Sequence, residues 1–178
     1  MKSILLIISC LFITGIAYSQ QYHPEEASSK IHFVIKNFGI KTGGDFTGLK
    51  GSVVFDPKNL DKSKIDVTVD AASIDTDNNT RDSHLRKKEY FDAEKYPLIR
   101  FVSTKITQNK IAGRFYIFGT ITIKGVSKSV EFGFSATTLS KGYLFKGEFT
   151  INRRDFGVGG SSISLSDNLT VVLSVTAD

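Results

Sequence analysis

Cysteine is nearly missing: the 178-residue chain has one, Cys10. Downstream of it there is no thiol, so disulfides, a cysteine nucleophile and thiolate metal sites are excluded together. Histidine is scarce as well. His23, His32 and His84 form no His-x-x-x-His or Glu-x-x-His pair, which leaves structural zinc without a ligand set. The carboxylates, though plentiful, never take the spacing of a calcium loop, and no Gly-x-Ser-x-Gly elbow presents a nucleophile. No apolar run after the N-terminal segment is long enough for a transmembrane helix. A continuous basic stripe is also lacking. The chain carries 23 basic and 18 acidic residues for a formal net charge of +5, and the basic ones cluster only at Arg86-Lys87-Lys88 and Arg153-Arg154. That pattern is a solvated surface rather than a phosphate track, and it argues against a nucleic-acid partner.

The N-terminus reads as an export signal. Lys2 is a minimal positive start, Ile4 to Ile16 is apolar, and Ala17-Tyr18-Ser19 is a small-x-small cleavage site before Gln20. Residues 1–19 are therefore expected to be a cleaved signal peptide, leaving a 20–178 domain of net charge +4 once Lys2 is gone, in the periplasm or outside the cell. Ile7-Ile8-Ser9-Cys10 offers a competing lipid-attachment box. Cleavage there leaves an apolar run of only about six residues before it and strands the rest on the mature chain. An exported chain without disulfides depends on its hydrophobic core, and this length suffices for one domain with such a core.

Strand periodicity fills most of the chain. Ile31, Phe33 and Ile35 share a face opposite His32 and Lys36. Gly43-Gly44 is expected to turn the chain into a strand from Asp45 to Phe55, bent at Gly48 and Gly51 and closed by Asp56-Pro57 and Asn59. Ile65, Val67, Val69 and Ala71 alternate with Asp66, Thr68 and Asp70. Further strands are expected over 98–107, 111–124, 127–138, 142–152 and 169–177, with hairpin connections at Gly125-Val126 and Lys141-Gly142. Repeats and low-complexity linkers are absent. Eight strands in hairpin succession, with one short helix after the third, predict a mainly β domain whose antiparallel series either closes into a single eight-stranded barrel or splits into a sandwich. Phe33, Ile35, Phe101, Phe115, Ile121 and Ile123 face inward on this pattern. So do Phe132, Phe134, Phe149, Ile151, Val171 and Leu173. Alternation alone fits a fully packed interior better than a hollow one. At Phe115-Tyr116-Ile117-Phe118 both faces are apolar, so the outer one calls for a cover, either the inserted helix or another subunit.

The pattern breaks from Ser73 to Pro97. Asn78, Asn79 and Thr80 are helix-capping types. Arg81 to Tyr90 contains no Gly, Pro or β-branched residue, which predicts about three turns of helix. Its apolar face is thin, Leu85 with Tyr90 and Phe91, so the helix must lie on something already built. Asp82 and Arg86 fall at i,i+4 and can pair. Asp82, Ser83 and His84 point about 100° apart in succession around a helix, so they do not converge as a triad. Arg81, Asp82 and His84 either satisfy backbone ends where the helix covers the barrel or, with Asn79, line its mouth and meet a ligand's polar head.

The motifs come in a recognisable order. Ser73-Ile74-Asp75-Thr76, Asn78, Arg81-Asp82, His84-Leu85, Tyr90-Phe91-Asp92 and Tyr96-Pro97 are followed by Phe101 with Ser103-Thr104. Then come the run from Gly119 to Val126 and Ile151-Asn152-Arg153-Arg154-Asp155-Phe156-Gly157. From about Ser29 to its C-terminus the chain resembles the YceI family, also called the polyisoprenoid-binding family. The resemblance implies an extended lipocalin-like barrel around a long isoprenoid chain. It makes the inward-facing set, joined by Phe156, an apolar tunnel, and Asn79, Arg81, Asp82 and His84 its polar mouth. It also implies dimers, hence a second copy of the chain as the cover for Tyr116 and Phe118. The function expected is a periplasmic or secreted protein, without catalytic residue or cofactor, that holds an isoprenoid-like or other long-chain amphiphile for carriage, storage or stress protection. Two other readings stay open: an enzyme acting on a lipid-like or amide substrate through His84 and Asp82, and a filled-barrel stress or interaction protein with no ligand.

Overall fold

The computed structural model describes residues 20–178, and the segment read as a signal peptide, with Cys10, lies outside the described residues. Ten strands form where eight are expected: β1 Gln21–Tyr22, β2 Pro24–Asn37, β3 Ile40–Phe46, β4 Lys50–Val54, β5 Lys64–Asp70, β6 Leu98–Gln108, β7 Arg114–Ile123, β8 Val126–Thr138, β9 Tyr143–Asn152 and β10 Leu165–Ala177. They make one sheet in the order β1-β4-β5-β6-β7-β8-β9-β10-β2-β3, with every pair antiparallel. Two departures explain the count. The strand expected over 45–55 breaks between Phe46 and Lys50, where Gly48 sits at φ +76°, and the N-terminal strand begins earlier, as β1 and β2.

The sheet is a curled half-barrel rather than the regular eight-stranded barrel expected. Its flanks are joined through the N-terminal strand. Gln21 and Tyr22 pair with Val54 and Val53 of β4 on one side, while Pro24 and Glu25 pair with Ala177 and Thr176 of β10 on the other. Gly43-Gly44 does not turn the chain. The turn is Phe38-Gly39, both left-handed at φ 49° and 77°, which closes Asn37 on Ile40 in a two-residue hairpin. Gly43 and Gly44 lie inside β3, where any side chain would run into the carbonyls of Phe33 and Asp75. That close approach lets Asp45 bridge to Asp75. The β7–β8 turn is Lys124-Gly125, one residue earlier than expected.

Inward side chains sort into two clusters. In one, Phe55 is the hub: the rings of Phe115, Tyr143 and Phe145 meet it edge-to-face at 5.2, 5.1 and 5.3 Å, the geometry that the ring quadrupole favours. Val53, Ile106 and Ile117 are buried around them. In the other, Ile121, Ile123, Ile151, Phe156 and Val158 are covered by Tyr90 and Phe91. Phe101 borders both clusters.

The helix, α1, spans Asn79–Leu85 and is about a turn shorter than expected. Asn78 caps it, its side-chain oxygen accepting the Arg81 N–H at 3.0 Å. At the far end the Leu85 carbonyl accepts from Phe91, and the Arg86 carbonyl from Ala93, both at 3.0 Å. Folding back in this way carries Tyr90 and Phe91 onto the second cluster. Another helical turn would leave them in solvent, since Arg86, Lys87 and Lys88 give it nothing apolar to bury. The outer face of β7 keeps Tyr116 at 47% exposure.

Phe55→Ala should cost about 3–5 kcal/mol, as deletion of a ring from a closed aromatic cluster does. Equilibrium urea unfolding checks it. A loss under about 1 kcal/mol would show that the four rings are not mutually packed.

Candidate functional site: an apolar cavity with a polar lip

Beyond the Phe55 cluster the sheet encloses a cavity of about 860 Å³, near the upper end of the ~300–1,000 Å³ range of ordinary small-molecule sites. Phe33, Ile35, Phe101, Ile121, Ile123 and Phe132 line it, and so do Phe134, Phe149, Ile151, Phe156 and Leu173. Phe115 does not. It is 3% exposed, stacked on Phe134 at 5.4 Å inside the Phe55 cluster, and belongs to the filled end. The cavity wall is aromatic: Phe132 stacks on Phe149 at 4.5 Å and 17°, and Phe101 tilts against Phe132 at 6.0 Å. These three rings are half-buried although they point inward, so the surface they leave open faces the cavity.

The polar residues divide. Arg81 and His84 line the cavity, together with Asn78 and Thr80. Asn79 and Asp82, expected beside them, do not. Asn79 is exposed, its carbonyl accepting the Ser83 hydroxyl at 2.8 Å. Asp82 is 3% exposed and turned under the helix, where its carboxylate accepts the Thr76 N–H at 3.0 Å and the Thr76 hydroxyl. The expected pairing of Asp82 with Arg86 does not form, because Arg86 donates instead to the carbonyls of Ala72 and Ile74 at 2.7 and 3.0 Å. Arg81 likewise donates to the Thr76 hydroxyl at 2.7 Å and the Thr76 carbonyl at 2.5 Å. Thr76, 6% exposed, thus mediates between acid and cation. Ser83 and Asp82 both bond away from His84.

Two polar groups at the cavity escape a strand-alternation reading. His32, assigned to the wet face, borders the cavity, and its Nδ1 lies 2.7 Å from Asp45, which also holds Lys30 at 3.3 Å. On the facing strand Gly43, paired with Val34, makes room diagonally: a Cβ there would stand 3.2 Å from the imidazole Nε2. Arg153, read from the sequence as half of a basic pair and as part of the motif from Ile151 to Gly157, is 4% exposed. Its guanidinium donates to the carbonyls of Ser166 at 3.0 Å and of Val158 and Gly160 at 2.9 Å, and to the Asp167 carboxylate at 2.9 Å. Those four bonds fix the 157–164 segment, from which Gly160, Ser161 and Ser162 form part of the cavity rim. A third cation in the cavity lining, Arg100, is spoken for by a neighbouring carboxylate. Arg100, forked onto Asp66 at 2.9 and 2.7 Å, holds that carboxyl below the usual range. Among the described residues no three His, Cys, Asp or Glu side chains gather as a metal site, and no helix is long and apolar enough to cross a membrane.

A curled antiparallel sheet, packed at one end and hollow at the other, with apolar walls and a polar lip, defines a β-protein built around an internal ligand-sized space. Residues 22–177 match the YceI-like domain. The chain belongs to the YceI family. It is 30% identical to protein YceI of Salmonella arizonae over 95% of this chain and 92% of that one. Among solved structures, Burkholderia cenocepacia BcnA superposes with a TM-score of 0.81 at 26% identity, over 85% of this chain and 98% of that one. A polyisoprenoid-binding domain from Saccharophagus degradans, implicated in plant cell wall breakdown, shares the fold at a TM-score of 0.71 and 14% identity, over 88% of this chain and 97% of that one.

Arg153→Lys keeps the charge and loses the fork, so it should cost about 1–3 kcal/mol by orphaning buried carbonyls. Thermal unfolding reads the loss, and limited proteolysis should find new cleavage within 157–164. Wild-type resistance there would remove Arg153 from the rim's support.

Proposed function

We propose that the cavity takes one long-chain amphiphile, isoprenoid-like in its tail, and that the protein carries or stores it in the periplasm or outside the cell after residues 1–19 are removed. The aromatic-walled cavity of about 860 Å³ carries this reading. Its mechanism is burial. Ten methylene groups at ~0.8 kcal/mol each amount to about 8 kcal/mol, the free energy of a micromolar complex, with no polar contact to the tail. The fold shared with a polyisoprenoid-binding domain supports the tail's chemistry. Arg81 and His84 on the lip present nitrogen donors to an oxygen-rich head group. Catalysis through His84 and Asp82 finds less support, because the carboxylate lies under the helix on Thr76. Exposed Tyr116 is consistent with a homodimer over the outer face of β7.

Organic extracts of the purified protein should contain a prenyl or acyl lipid by mass spectrometry, and Phe101→Asp, which places a charge in the cavity wall, should empty it. A clean wild-type extract together with failure to take up an added polyprenol would end the carriage reading.

His84→Ala should change discrimination between two ligands that share a tail and differ in head, by severalfold, while leaving thermal stability near wild type. Equal loss for both ligands would take His84 out of the head-group site.

A further inference from the structure

The β2–β3 hairpin ends beside the cavity mouth: Asn37 and Thr42 line the cavity, and the tip between them is apolar. Phe38 is 79% exposed and Ile40 is 72% exposed. On the neighbouring segment Ile163 is fully exposed at 109%, and that segment is tied to the tip by the Phe38 N–H donating to the Ser164 carbonyl at 2.8 Å. None of the three belongs to either core cluster. Phe38 is also an unexpected occupant of its place. It holds φ 49° at a hairpin position where Asn, Asp or Gly fits the left-handed backbone without strain. Nothing in the fold calls for a large ring there.

Immediately below the tip, Lys36 and Lys41 stand directly opposite each other across the ladder, and both are exposed. Like charges in that register weaken a hairpin. An anionic surface against the tip would turn the pair from a liability into an attachment. Apolar side chains at the apex with lysines one register step behind match the depth profile of a lipid interface, where rings enter the acyl boundary and ammonium groups stay at the head groups.

We propose that the Phe38-Ile40-Ile163 tip, backed by Lys36 and Lys41, docks the protein on an anionic lipid bilayer with the cavity mouth turned towards it. A tail then passes between bilayer and cavity along a dry path. Only the cargo rests on the lipid-holding reading above; docking is measurable without cargo.

The test is flotation of residues 20–178, the described span with its ten strands and both core clusters, with vesicles of phosphatidylcholine alone or mixed with phosphatidylglycerol. Wild type should float with the mixed vesicles and detach as salt is raised. A Phe38→Ser/Ile40→Ser/Ile163→Ser triple variant and a Lys36→Glu/Lys41→Glu double variant should each lose on the order of tenfold in vesicle affinity. Both should keep wild-type thermal unfolding and wild-type uptake of a polyprenol offered in detergent micelles. Wild type that does not float with anionic vesicles, or a triple variant that floats unchanged, overturns the proposal. So does concentration-dependent dimerisation that the triple variant abolishes in the absence of flotation, which would assign the tip to a second copy of the chain. Flotation that follows the expected pattern without polyprenol uptake would support docking while striking the lipid-holding reading.

Discussion

A hollow interior is a cost that the rest of the fold must offset. Wall atoms facing empty space lose the dispersion contacts that a packed core supplies, and half-buried Phe101, Phe132 and Phe149 are in that position. The four-ring cluster around Phe55 is what makes the deficit tolerable. It closes one end of the sheet with rings that touch each other at near right angles, so that the strands are held in a curl that the other end need not enforce by filling itself.

The polar chemistry of the chain serves the same purpose by a different route. Arg81, Arg86 and Arg153 each direct donors at backbone carbonyls, of Thr76, of Ala72 and Ile74, and of Val158, Gly160 and Ser166. These carbonyls sit in the irregular stretches 71–78 and 157–164 and, for Ser166, at the register break that opens β10, where no neighbouring strand satisfies them. A planar guanidinium with several N–H groups at fixed angles suits that task better than an ammonium. In the structure these three guanidiniums are substitutes for missing ladder.

Which features were legible follows from this division of labour. Alternation finds residues whose facing is set by a strand, and it turns Ile121, Ile123, Ile151 and Leu173 inward, where the structure has the cavity wall. It cannot tell a filled end from a hollow one, which is why Phe115 reads like the cavity residues, and Phe55, followed by Asp56-Pro57, reads as no more than a strand end. Gly43-Gly44 is a stronger turn signal in the sequence than Phe38-Gly39, yet those glycines answer to the close passage of β3 against Asp75. Asp82 was paired with Arg86 by helical spacing, whereas its partner, Thr76, lies before the helix and is reached only when the chain bends. The motif order, by contrast, pointed to the family from residues scattered over the whole sheet.

The pairing of β2 with β10 ties the two ends of the chain together. Ser29 Oγ accepts the Thr176 N–H at 3.1 Å across 147 residues of sequence, and His23 and Asp178 exchange backbone bonds at 2.8 and 3.1 Å. Such long-range closure comes late and slowly in folding, because the loop entropy falls due before the contacts form. The cavity therefore does not exist on a partly synthesised or C-terminally clipped chain. Losing even the last few residues would remove Ala177, fully buried against the Phe55 cluster, and with it the partner that holds Pro24 in place. An interior of this kind exists only once β10 is seated between β9 and β2.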